Sequence, residues 1–129
     1  MTIKMNDSQS DFNSLIKMSD IGDGAGSANT TPDIDLLTGT TGTVYTIFID
    51  NTSGSGRNYL KLYDALDVTH GTTTPIFCGC APASTRIIVY MKQGIPIGTA
   101  LSVAASDTAG TGASGSNPAG TMNYVIFGG

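Results

Sequence analysis

Thr43-Val44-Tyr45-Thr46-Ile47-Phe48-Ile49-Asp50 is β-branched or aromatic at every position but the last. Such residues lose rotamer freedom in a helix and fit a pleated strand. The stretch ends at Asn51-Thr52-Ser53-Gly54-Ser55-Gly56, a run of turn residues. The same alternation of strand and turn continues toward the C-terminus. Asn58–Ala65 alternates, with Leu60 and Leu62 on one face and Tyr59, Lys61 and Tyr63 on the other. Pro75 opens Ile76–Cys80, and Ala81-Pro82-Ala83-Ser84 turns the chain into Thr85–Met91. Ile97–Ala105 follows Gly94-Ile95-Pro96, a Gly/Ser/Thr/Ala loop fills 107–120, and Thr121–Phe127 closes the chain. Six or seven short strands at roughly ten-residue spacing predict an all-β, jelly-roll-like antiparallel β-sandwich over residues 43–129.

Toward the N-terminus, residues 1–42 read as an extended arm. They are polar, with a flexible centre at Gly22–Gly26. Phe12, Leu15 and Ile16 fall at i, i+3 and i+4 behind Ser10 or Asp11 as N-cap, which predicts one short helix near 10–19. Ile34, Leu36 and Leu37 form a second small apolar group. The two groups are the candidate partner-binding anchors of the arm. Docked on a neighbour, they act as two contacts on one tether; the other reading is a disordered tail or an arm folded back on its own sandwich.

Composition agrees with strands. The 129 residues include 17 Gly, 18 Thr and 12 Ser, and all ten acids are Asp. Only 12% of residues are charged, against about 25% in an average soluble domain. The net charge of −4 sits wholly in residues 1–35, where six Asp face two Lys; the rest is balanced. No basic stripe exists for nucleic acid. No apolar run approaches the ~20 residues that cross a bilayer, and the first residues lack a signal-peptide core, so a soluble, non-secreted chain with no membrane partner is expected.

Two strands are apolar on both faces. In the first, Val44 and Phe48 oppose Tyr45, Ile47 and Ile49; in Thr85–Met91, Ile87, Val89 and Met91 oppose Ile88 and Tyr90. A lone sandwich of this size exposes one polar face per sheet. Either loops and the arm cover the outer faces, or one of them is a subunit interface.

Candidates for chemistry are few. Asp64, Asp67 and the single His70 share a loop with D-x-x-D-x-x-H spacing, a weak metal or acid–base pattern against turn-forming Asp and an exposed His. Cys78 and Cys80 share one side of a strand; with no other Cys or His pair to complete a tetrahedral site, they are expected as small buried thiols. Gly22-x-Gly24-x-Gly26 follows no strand, so it fails the context of a phosphate loop. Asn29-Thr30-Thr31 and Asn51-Thr52-Ser53 match the glycosylation sequon but are more simply turn residues. No catalytic residue, metal site or cofactor is assigned, and the chain is expected not to be an enzyme.

Tyr59–Ala65, Gly71-Thr72-Thr73-Thr74-Pro75, Pro82-Ala83-Ser84, Gly98–Ala104 and the late Asn123-Tyr124 together resemble the small decoration, or cement, proteins of tailed-bacteriophage virions. The resemblance spans residues 43–127 and excludes the arm; Cys78-Gly79-Cys80 is not part of the pattern. It implies a jelly-roll-like sandwich on the capsid exterior, commonly a homotrimer, clasping neighbouring copies of the major capsid protein. The alternative of another class is a receptor- or carbohydrate-binding sandwich of a phage tail. The lack of Trp and the placement of the Tyr residues in or beside strands weigh against it.

Overall fold

The computed structural model describes residues 15–21, 34–38, 41–111, 118 and 120–129. They form eight strands: β1 (Leu15–Ile21), β2 (Ile34–Thr38), β3 (Gly42–Asn51), β4 (Asn58–Asp64), β5 (Phe77–Ala81), β6 (Thr85–Ile97), β7 (Leu101–Ser106) and β8 (Met122–Gly128). There is no helix among the described residues. Two four-stranded antiparallel sheets result. Sheet A has the order β1-β8-β3-β6 and sheet B the order β2-β7-β4-β5. The expected all-β class is therefore present.

Strand pairing is nested. β4 pairs with β5, β3 with β6, β2 with β7 and β1 with β8, while β3·β8 and β4·β7 join these hairpins side by side. One core lies between the sheets. Val44, Ile47 and Ile49 of β3 and Met122, Tyr124 and Ile126 of β8 meet Leu60 and Leu62 of β4 and Leu101, Val103 and Ala105 of β7, all buried. At about 25 cal/mol per Å² of apolar surface, this layer is the main favourable contribution to folding.

Two sequence expectations need correction. The helix near 10–19 is replaced by a strand where the chain is described: Leu15–Ile21 pairs with β8. The spacing of Leu15 and Ile16 suits a helix, but a short amphipathic helix is marginal alone, and the edge of β8 offers a full set of backbone partners. Second, Val44 and Phe48 do not share a face. An irregularity between Val44 and Thr46 shifts the register of β3 against both β6 and β8. The phase resets there, so Val44, Ile47 and Ile49 point inward while Tyr45 and Phe48 point outward.

β6 carries a matching irregularity. Gly94 has φ +71, and a Cβ there would lie 2.3 Å from Thr43 Cγ2. The bare backbone lets Ile95 rejoin Val44 and carries the strand on to Ile97, past the end at Met91 read from the sequence.

Candidate functional site

The outer face of sheet A carries most of the exposed large hydrophobic side chains of the described residues. Register places Ile88, Phe48 and Val125 in one row across β6, β3 and β8, and Tyr90, Thr46 and Phe127 in the next. Ile88 is 69% exposed and Tyr90 72%; Tyr45 and Phe127 are also exposed. On β1, the register sets Met18 opposite Val125 and Leu15 opposite Phe127. The row beyond is polar: Arg86, Asp50 and Asn123. Within it Arg86 Nε donates to Asp50 Oδ2 at 2.9 Å. The Thr52 hydroxyl, then Arg86, then the Thr52 N–H hold the Asp50 carboxyl down at about 2. Its charge is thus satisfied within the chain, and the two apolar rows offer a partner apolar area and ring edges.

The outer face of sheet B is different, because it is covered over its central strands β4 and β7. Lys61 and Tyr63 point away from the core, yet both are fully buried, as are Ser102 and Ala104 of β7. Part of the cover is the segment between β4 and β5. It turns at Thr69, whose carbonyl accepts the Thr72 and Thr73 N–H groups, and brings His70 Nε2 to 3.2 Å from Lys61 Nζ. Burial pushes the Lys61 amine below the usual lysine value, with Cys78 and Asp107 opposing. Burial and the Lys61 charge push the His70 imidazole down too, with Asp107 opposing. With Lys61 as an ammonium, Nζ donates and His70 Nε2 accepts, which puts the imidazole proton at Nδ1. Burial also raises the Tyr63 phenol, whose buried hydroxyl has no hydrogen-bond partner among the described residues.

Asp64 and His70 do not converge, contrary to what a shared metal or acid–base pair would need. Asp64 closes the turn between β6 and β7. Its Oδ2 accepts from the Gly98 N–H at 2.8 Å, and its Oδ1 from Thr99 at 2.7 Å and Ala100 at 3.1 Å. Partial burial works against its charge, but the three N–H groups outweigh it and hold the carboxyl below the ordinary value of 3.8. Among the described residues no group of three or more His, Cys, Asp or Glu could hold a metal ion. Asp64→Ala should lower stability by about 1–3 kcal/mol in a urea titration at pH 7. The folded-state pKa is depressed, so the stabilisation is complete above the unfolded value. It fades as pH falls through the folded one. The gap between the parent and the variant should narrow as pH falls below 3.8; a constant gap down to pH 2 would refute the cradle.

The arm anchors have a definite address where they are described. Phe12 lies outside the described residues. Leu15 and Ile16 are in β1 at one end of sheet A, and Ile34, Leu36 and Leu37 are in β2 at the same end of sheet B. Ile34 stands opposite Ala104 and Leu36 opposite Ser102. Leu15, Ile34 and Leu36 are thus paired into the chain's own sheets, while Ile16 and Leu37 fall at register shifts. The cysteines depart from expectation: both are exposed, not buried. They do share a side of the strand, but Gly79 and Ala81 hold the inward positions of β5, which turns Cys78 and Cys80 outward. Asn51, in the second sequon, is fully buried with its amide in hydrogen bonds to backbone carbonyls. Neither of the two buried polar residues, Asn51 and Lys61, is marked for this role by the sequence: Asn51 reads only as a sequon or turn residue, and alternation marks the face of Lys61 but not its cover.

No family model matches the chain, and comparisons with curated proteins and with solved structures find no match either.

Proposed function

We propose that this chain is a structural virion subunit of the decoration or cement type, a jelly roll that binds the major capsid protein on the exterior of an assembled phage shell. The observation that carries the reading is the apolar outer face of sheet A on a body whose charges balance. Such a face gains little from free water and much from a matching apolar surface. The nested pairing of eight strands supports the jelly roll, since rolling one long antiparallel hairpin produces that order, and jelly rolls recur among viral capsid domains. Fold alone does not define function, so the weight rests on the face. Mechanistically, a protein that binds the assembled lattice and not free subunits stabilises the lattice by mass action, and many copies act together.

The test is co-sedimentation with assembled empty shells of the virus that encodes the chain. The parent should saturate a fixed number of shell sites. Tyr90→Ser with Phe127→Ser should stay folded and bind at least about 100-fold more weakly, each buried ring being worth about 1.5–3 kcal/mol. Parent-like binding by that variant would move the contact elsewhere; no binding by the parent would remove the shell reading. Tyr45 and Tyr90, two exposed rings on one face, favour the second reading of a carbohydrate- or receptor-binding tail module. Saturable binding to a glycan array without binding to shells would select it.

A further inference from the structure

β6 is the end strand of sheet A, and among the described residues only β3 pairs with it. Its inward side chains report the missing neighbour. Ile87, Val89 and Met91 point to the core but stay only partly buried, while Ile47 and Ile49 on β3 are fully buried. Its outward side chains Ile88 and Tyr90 are the most exposed large apolar residues of the described chain. Thr85–Met91 has no Pro, no Gly, no acid and a single charge, Arg86. Natural sheets guard such an edge with charges, Pro, bulges or a cover, because its unpaired N–H and C=O groups template another strand. Here the guards begin only at Lys92 and the Gly94 bulge.

We propose that the free edge of β6 pairs antiparallel with β6 of a second copy, about a two-fold axis at Ile88, joining two A sheets into one eight-stranded sheet. A second copy is the occupant because the strand complements itself. Residues opposite each other in an antiparallel pair must point to the same face, so the axis passes through a residue and not between two. An axis at Val89 sets Arg86 against Lys92 of the second copy, twice, and is repelled. An axis at Ile87 leaves Tyr90 facing Ser84 in the turn. The axis at Ile88 sets Arg86 against Tyr90 of the second copy, twice. The Arg86 side chain is 61% exposed beyond its Nε contact to Asp50, so its guanidinium plane is available to that ring. On the inner side Ile87 meets Val89 of the second copy, which completes the burial the single chain lacks. The pairing also makes the two outer A faces continuous. This inference goes beyond shell binding and does not depend on it.

The experiment uses the full chain without shells. Light scattering at micromolar concentration should give the mass of two chains. In a Cys78→Ser, Cys80→Ser background, Ile88→Cys should form a covalent dimer under mild oxidation, because the residue on the axis faces itself. Tyr90→Cys alone should not, while a mixture of Arg86→Cys and Tyr90→Cys chains should cross-link to each other. A monomer or a trimer mass overturns the proposal, and so does Tyr90→Cys cross-linking as fast as Ile88→Cys. The mass of the unaltered chain decides the matter if a cysteine variant fails to fold. Loss of shell binding by a chain that still dimerises would count only against the function proposed above.

Discussion

Asn51→Ala should destabilise the fold by about 3–5 kcal/mol, one of the largest losses available from a single polar side chain here. Asn51 is fully buried at the end of β3. Its Nδ2 lies 3.1 Å from the Gly56 carbonyl, 3.0 Å from that of Ala81 and 2.9 Å from that of Pro82. Its Oδ1 accepts from Asn58 Nδ2 at 2.8 Å. One amide therefore holds together the β3–β4 loop, the β5–β6 turn and the first residue of β4. The loop is shaped around it: a Cβ at Gly54 would lie 2.0 Å from Asn51 Oδ1, and the Gly54 carbonyl accepts the Ser84 N–H across to the turn. Truncation strips the buried Ala81 carbonyl and the part-buried Gly56 and Pro82 carbonyls of this donor, and Asn58 of this acceptor; each fully buried loss costs about 1–3 kcal/mol. For a domain of this size the melting temperature should fall by on the order of 10 °C or more. Asn51→Asp keeps the oxygen for Asn58 but turns a carboxylate toward three carbonyls. It should be no better than Ala, and should worsen as pH rises through the aspartate range. Calorimetry of the two variants checks both statements; a loss within about 0.5 kcal/mol would show that water replaces the amide at no cost.

Which parts of this architecture are legible in the sequence follows from how local their causes are. β3, β4 and β8 emerge within a residue or two of their ends, because dense β-branched and aromatic runs meet Gly, Asn and Ser turns. The far end of β6 does not, since the Gly94 bulge is set by contact with Thr43 on another strand. β1 is misread because Leu15 and Ile16 suit either period over so short a stretch, and pairing with β8 is a tertiary event. The doubly apolar reading of Thr85–Met91 carries straight through to the exposed Ile88 and Tyr90. The exposed thiols are misjudged because the frequency with which Cys is buried says nothing of which way β5 faces. The cover over Lys61 is illegible for a similar reason: it comes in part from a turn segment without periodicity, folded back across sheet B.

That cover makes Lys61→Met the second large effect, and its sign is the reverse of the first. A buried ammonium whose hydrogen-bond partner is a neutral imidazole has given up its hydration for little return, whereas Met fills similar volume without a charge. The variant should therefore be more stable than the parent at pH 7, by about 1–4 kcal/mol. The pH dependence separates this from a simple packing gain. Both basic groups titrate lower in the folded chain than in the unfolded one. The unfolded chain then binds more protons, so stability rises with pH. For His70 the window runs from its depressed folded value up to 6.5, and for Lys61 from its own folded value up to 10.5. The parent should lose stability as pH falls below 6.5 and gain it as pH rises toward 10.5. In Lys61→Met the alkaline gain should vanish. The acid loss should shrink only in part, because burial, the larger cause of the His70 shift, remains while the Lys61 charge is gone. Urea titrations from pH 5 to pH 10 read both limbs. A variant less stable than the parent at pH 7, or one that keeps the alkaline gain, would show that the amine stabilises sheet B as a charge.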